Sequence, residues 1–478
     1  MRLQASEALV GPDLARQADV ALELEGGRIA RLSPGTAAPD RRLILPAFVN
    51  AHDHARPLPM SSFGTAFLPL EAWLPRTVLA TPPDPYLAAL APLGRAALSG
   101  CAAVMVHYTR PSGLYPAVEE AREVARAARD IGLRIAFAPA LRDINPLAYG
   151  DQRPVLDALS PEARRVVEQV FMPPPRTVAE MIETTEAIAE AIGGPMVDVQ
   201  FGPAGVQWCS PALLEAVAER SAATGRRVHM HLLETVYQRR FADATYPQGI
   251  LRYLADIGLL SERLALVHCV HARPDELDLI AEAGATIVVN TSSNLGLRSG
   301  VGPIAEALRR GCKVAIGMDG ATLDEDDDML REMRLTHHMH AGSGFAQGWR
   351  PASALRRFVS EGRRVVGAPG DGALAEGAAA DLVCVDLERL DRDAILPVAP
   401  LDLLFSRGTA AHVEALHVAG RAVVTDGRLT GIDLPAAEAE LRAMFRQSVQ
   451  RFAAVETHWP ALESALRDAF GPAEGCCG

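Results

Sequence analysis

Eight short apolar runs, most of them followed by a segment of helical periodicity, constrain this chain more than any other feature. The strand candidates are residues 43–52, 102–108, 133–141, 197–204, 228–234, 264–270, 286–291 and 313–319. Helical patterns at 113–131, 176–192, 211–225 and 302–311 illustrate the intervals. Several runs are continuously apolar rather than alternating, as strands of a parallel sheet are when helices cover its outer face. Eight such units over roughly 300 residues fit a closed (β/α)8 barrel better than an open doubly wound sheet. No G-x-G-x-x-G follows the first strand, which removes the main dinucleotide signature.

The two ends of the chain read differently. Residues 18–24 (ADVALEL), Glu25-Gly26-Gly27 and 28–32 (RIARL) form a hairpin pattern with glycines where positive φ is needed. A related pattern returns at 380–386, 413–420 and 421–427. Neither end can bury a sheet face alone, so the two are expected to pack together. The expected fold is therefore α/β, a TIM barrel with a small β-sandwich domain built from both chain ends. Residues 1–44 and 372–430 form the sandwich, 45–371 the barrel, and 431–478 a helical extension that either covers the barrel or joins a subunit interface.

Composition excludes some partners. With 49% hydrophobic and 22% charged residues the chain is globular rather than disordered. A net charge of -12, with no basic stripe to offset it, argues against nucleic acid and anionic membranes as partners. The seven cysteines (Cys101, Cys209, Cys269, Cys312, Cys384, Cys476 and Cys477) lack paired zinc spacing and read as reduced thiols. There is no signal-like segment and no apolar run near the ~18 residues of a membrane span. The expected location is the cytoplasm.

Chemistry concentrates at the strand ends. His52 and His54 lie two apart, so a strand presents both imidazoles on one side. His229 and His231 repeat the spacing near the fifth strand. His231, nearer the C-terminal end where barrel active sites collect, is the expected ligand, and His229 packs or supports. Asp319 ends the eighth strand after an apolar approach, where an unpaired carboxylate is costly. One divalent metal ion held by His52, His54, His231 and Asp319 accounts for all four.

The order of motifs resembles the amidohydrolase superfamily, in its cytosine deaminase/chlorohydrolase-like branch. The resemblance rests on PAFVNAHDH (46–54), HMHLLET (229–235), LVHCVHARP (266–274), SSNLGLRSGVGP (292–303), AIGMDG (315–320) and DMLREMRL (328–335). It extends to the closing segments GALAEGAAADLVCVDL and HVAGRAVVTDGRL, and so covers nearly the whole chain. It implies His52, His54, His231 and Asp319 as metal ligands, with Glu234 and His268 as further site residues. Lys313 is the only lysine and lies at the far end of the eighth strand, so a carbamylated lysine bridging two metals is excluded. One metal is expected; zinc is favoured, and iron or manganese tolerates the same ligands.

The implied activity is hydrolytic deamination of a nitrogen heterocycle such as a purine, pyrimidine, pterin or triazine. The alternative is removal of a chloro, alkylamino or formimino group at the same mononuclear site. Asp319 takes a proton from water. Glu234 either shuttles protons to the ring nitrogen and leaving amine or forms an edge salt bridge. His268 either steadies the water or oxyanion or packs in the core. Candidate substrate contacts are His107, Gln207, Trp208 and His271. Two departures from the family pattern bear on substrate: no histidine in the proline-rich loop around Gln207 and Trp208, and Val289 where many members have histidine. The acidic run 324–328 (DEDDD) either starts a helix or attracts a cationic amine. A small-molecule substrate is expected, and the resemblance implies a homodimer or larger homo-oligomer.

Overall fold

Parallel strands need crossover connections, which this chain makes chiefly from helices. Numbering the strands of the parallel sheet in chain order, β1 is Phe48–Asp53, β2 Cys101–Tyr108, β3 Arg134–Leu141 and β4 Val197–Val199 extended by Gly202–Pro203. The second half comprises β5 (Val228–Leu232), β6 (Leu264–His268), β7 (Thr286–Val289) and β8 (Lys313–Ile316). These come from a computed structural model that describes residues 1–36, 41–174, 176–342, 344–345 and 348–472. Cys476 and Cys477 lie outside the described residues.

Within each half the strands pair in sequence, all parallel. Bridges from Phe201 to Val228 and from Gly205 to His231 join β4 to β5. On the other side the His52 carbonyl accepts the N–H groups of Met318 at 3.1 Å and Asp319 at 2.9 Å. The sheet thus closes on itself, and the closing seam is where the first and last candidate ligands meet. It is tight: a Cβ on Gly317 would stand 2.3 Å from Asn290 Oδ1 and 2.7 Å from His52 Cβ. Gly317→Ala is therefore expected to cost about 1–3 kcal/mol by overpacking. Denaturant unfolding checks this; wild-type stability would show that the seam relaxes.

The chain ends meet in an eight-stranded sandwich-like sheet. Leu382–Asp386 runs antiparallel to Arg42–Pro46, which in turn runs parallel to Arg2–Val10. Val20, Leu22, Ile44 and Leu382 are among the residues of its own apolar core. The expected strand 43–52 is two strands. The chain leaves the end sheet at Pro46, and Phe48 N then bonds Gly100 O at 3.0 Å in the barrel. Both halves are buried, so the run is apolar throughout and hides the break.

A buried ion pair ties the two bodies together: Arg363, on helix Pro351–Val365, reaches Asp381 at 2.8 Å. Breaking such a pair leaves an uncompensated charge. Arg363→Met leaves Asp381 with Arg134 at 3.6 Å as its remaining cation. The substitution should lower unfolding free energy by up to about 3 kcal/mol, measured by denaturant titration.

The C-terminal helices Leu434–Ser448 and Trp459–Phe470 lie over the barrel. Leu441 and Phe445 pack on Leu58, Ala88 and Ala91. Val455, Trp459 and Leu466 cluster with Val78, Leu79, Leu147 and Val155, from the segments after β1 and β3. Among the described residues no helix is long and apolar enough to cross a membrane.

Candidate metal centre

Short polar exits from apolar strands place the site. His52 and His54 close β1, His231 lies in β5, His268 ends β6, and Asp319 follows β8. His268 and Asp319 hold φ at 73° and 58°, a region that non-glycine residues occupy at a cost of order 1–3 kcal/mol. Such strain collects where function fixes the backbone.

The structure brings His52, His54 and Asp319 together as one possible ligand set and sets His231 beside His54. Asp319 Oδ1 lies 3.3 Å from His52 Nε2 and 3.1 Å from His54 Nε2. His231 Nε2 lies 3.3 Å from His54 Nε2. The opposite ring nitrogens explain why these atoms converge. His54 Nδ1 donates to His107 O at 2.8 Å, and His231 Nδ1 donates to Ala204 O at 2.7 Å. Each assignment puts the lone pair on Nε2, facing its neighbour. His52 Nδ1 bonds His229 Nε2 at 2.8 Å, and His52 Nε2 is a buried nitrogen with no hydrogen-bond partner. Burial pushes the His52 imidazole down to about 3 and also lowers His54 and His231, so all three are neutral. Three converging lone pairs and a carboxylate fit a divalent cation, and hydrogen bonding alone does not satisfy them.

Asp319 is held from several directions. Burial alone would raise its pKa, but Arg56 and the His52 and His54 contacts hold it well below the usual carboxylate range. Arg56 donates to its backbone carbonyl and Ser293 to Oδ2. Beside it, burial pushes the Glu234 carboxyl up to about 7, against the pull of His268. His268 Nε2 lies 3.7 Å from Glu234 Oε2, while its Nδ1 is 2.8 Å from Asn294 Oδ1. Ser299 Oγ reaches Glu234 Oε1 at 3.4 Å. Ser293, Asn294 and Ser299 thus connect one segment, 292–303, to three site carboxylates and imidazoles.

A cavity of about 310 Å³ opens above this cluster, lined by His54, His231, Glu234, His268 and Asp319 together with Trp73 and Trp208. Of the four expected substrate contacts, only Trp208 lines it. His107 lies beneath, its ring 4.9 Å from His231 and its Nε2 3.2 Å from Gly202 O. Gln207 is buried, and its carbonyl accepts from Asn145. His271 Nε2 bonds Ser299 O at 2.9 Å, away from the cavity. The acidic run starts a helix: Asp328 caps Met329–His340, Asp326 pairs with Arg331 and Asp327 with Arg95. Lys313 Nζ donates to Gly284 O at 3.0 Å, at the opposite end of β8. Sequence reasoning missed Arg56, Arg110 and Arg142, which also line the cavity.

The model of the amidohydrolase family matches residues 43–429, and the chain belongs to that family. It is 27% identical to a 5-methylthioadenosine/S-adenosylhomocysteine deaminase of Thermococcus sibiricus, over 80% of this chain and 79% of that one. It is 28% identical to an 8-oxoguanine deaminase of Pseudomonas aeruginosa, over 88% of this chain and 93% of that one. Among solved structures, atrazine chlorohydrolase TrzN from Arthrobacter aurescens TC1, complexed with zinc, superposes with a TM-score of 0.78 at 21% identity. That match covers 93% of this chain and 99% of TrzN. An adenosine deaminase from Xanthomonas campestris with bound zinc gives 0.76 at 24% identity, covering 94% and 98%.

Proposed function

We infer that this protein is a metal-dependent hydrolase that deaminates a nitrogen heterocycle, releasing ammonia. The observation that carries the reading is the convergence of His54, His231, Asp319, Glu234 and His268 on one cavity. The deaminase relatives support the choice of leaving group. His52, His54, His231 and Asp319 would hold one divalent ion, zinc being favoured. When bound, such an ion supplies Lewis acidity that lets water lose a proton near neutral pH.

The chain's own residues divide the remaining work. Asp319 Oδ1, kept ionised, receives the proton of the attacking water. Glu234, protonated in its buried setting, donates to the ring nitrogen next to the carbon under attack. Left ionised, Glu234 takes the hydroxyl proton of the adduct as the carbonyl forms. The proton held by Asp319 passes to the departing amine, restoring both carboxyl groups to their starting states. His268 Nδ1 is held 2.8 Å from Asn294 Oδ1, which fixes the ring so that its Nε2 side faces Glu234 and the cavity, where it orients water. The apolar walls, including Trp73 and Leu297, limit bulk water. Water adds at the amidine-like carbon, the C–NH2 bond breaks, and a carbonyl and ammonia result.

Five described cysteines are free and buried, which supports a reducing cytoplasmic setting. A homodimer or larger homo-oligomer is our reading of the assembly, and light scattering would count the subunits. The domain limits 1–44 with 372–430, 45–371 and 431–478 are likewise our division of the chain. The activity is tested by ammonia release from purines, pyrimidines, pterins and triazines after metal loading. Release of ammonia is the expected result; release of chloride or alkylamine alone would move the assignment to the alternative leaving groups.

A further inference from the structure

The cavity has two chemically distinct ends. Glu234 and His268 lie with the metal ligands at one. At the other, Arg110 leaves β2 and Arg142 leaves β3, the sector of the barrel across from β6 and β7. Arg110 donates to Thr77 Oγ1 and has no carboxylate partner among the described residues. Arg142 has neither a hydrogen bond nor an ion pair among them, and its surface is open to the cavity. The neighbouring Asp143 is committed elsewhere, to Ser210 N at 2.7 Å and Ser210 Oγ at 2.6 Å. Glu234 and Asp319 are the only carboxylates lining the cavity among the described residues.

Three buried or half-buried arginines elsewhere in this chain each hold a carboxylate. Arg95 holds Asp327 at 2.8 Å, Arg239 holds Glu276 at 2.7 Å, and Arg363 holds Asp381 at 2.8 Å. Arg56, the third arginine of the cavity, is spent on Asp319 and lies over Trp73 at 4.8 Å. Burial pushes Arg110 down to about 9, helped by repulsion from Arg142 and Arg56. Arg110 is half-buried and Arg142 exposed at the cavity wall, so two guanidinium groups face the cavity without a counter-charge and are placed to take an anion arriving from outside. The protein's net charge is -12, so a positive pocket here is a local construction and not a by-product of composition.

We propose that Arg110 and Arg142 form a receptor for an anionic oxygen group, a carboxylate or phosphate, carried by the substrate at the end away from the reacting carbon. The planar guanidinium fork suits either group. The heterocycle then spans the cavity, with its amine toward Glu234 and its charge toward β2 and β3. This deepens the deaminase reading and rests on it for the orientation of the ring. It also narrows the substrate class from any nitrogen heterocycle to those bearing an acidic substituent.

The test uses zinc-loaded full-length protein and matched ligands: adenosine against adenosine 5′-monophosphate, and pterin against pterin-6-carboxylate. Binding is measured by calorimetry, which needs no turnover. The charged member of at least one pair is expected to bind about 10- to 100-fold more tightly than its neutral partner, the scale of hydrogen bonds to charged groups. Which pair shows the preference separates phosphate from carboxylate. Arg110→Gln with Arg142→Gln should remove the preference and leave neutral-ligand affinity within about 2-fold; Arg110→Lys with Arg142→Lys should retain part of it. If the Gln variant fails to fold by circular dichroism, the Lys variant and wild type alone decide. Equal binding within both pairs, or no binding by any member, overturns the proposal. Preference for the anion without ammonia release would instead retire the deaminase reading and leave the anion receptor standing.

Discussion

Asp319→Asn should reduce turnover by about 10³-fold or more while the protein still folds, a loss within the range of general acid–base catalysis compounded by a weakened metal site. Asn matches the carboxylate in shape and can still take the Ser293 hydrogen bond. It cannot carry the charge that Arg56, His52 and His54 now face, nor accept a proton from water. In the wild type those three neighbours overcome the burial that would otherwise protonate the side chain. Metal content should fall as well, because three neutral imidazoles alone grip a dication less well than a set with a carboxylate. Steady-state ammonia release and metal analysis on the same preparation check both parts. Near-wild-type turnover would remove Asp319 from the mechanism.

Glu234→Gln is expected to separate chemistry from metal binding. The side chain lies 3.7 Å from His268 Nε2 and belongs to no proposed ligand set. Gln keeps the volume but can neither give nor take the proton. Turnover should fall by about 10²-fold or more, the scale set by proton transfer through a positioned side chain. Bound metal should stay near the wild-type level. Loss of metal with turnover would mean that Glu234 belongs to the metal site; unchanged turnover would make it an edge salt bridge.

Much of the site was legible because each of its residues interrupts an apolar strand. His52, His54, His231, His268 and Asp319 all stand where a buried run turns polar, and the barrel rhythm places those turns at one mouth. Glu234 follows from its distance to His231. The substrate contacts were not legible in this way. Residues 205–209 lie in a loop with one short helical turn, where neighbouring side chains diverge, so Trp208 enters the cavity and Gln207 does not. His271 has the spacing of a site histidine, but Ser299 O occupies its Nε2. His107 sits within β2, one layer below the mouth.

The arginines show the reverse case. Arg110 in HYTRPSG and Arg142 in ALRDIN read as ordinary loop residues after strands. Their meaning comes from what they lack, a carboxylate, and only the folded chain shows a missing partner. The break at Ala47 was hidden for a different reason. Two sheets bury the same apolar run from successive sides, and hydrophobicity does not say which sheet is involved.

The most direct measurement is anomalous diffraction at the zinc edge from crystals of the zinc-loaded protein. One peak per chain is predicted, about 2.0–2.2 Å from nitrogens of His52, His54 and His231 and from an Asp319 oxygen. No peak there, two peaks within one cluster, or a peak held by other residues would contradict a single ion gripped from β1, β5 and the exit of β8.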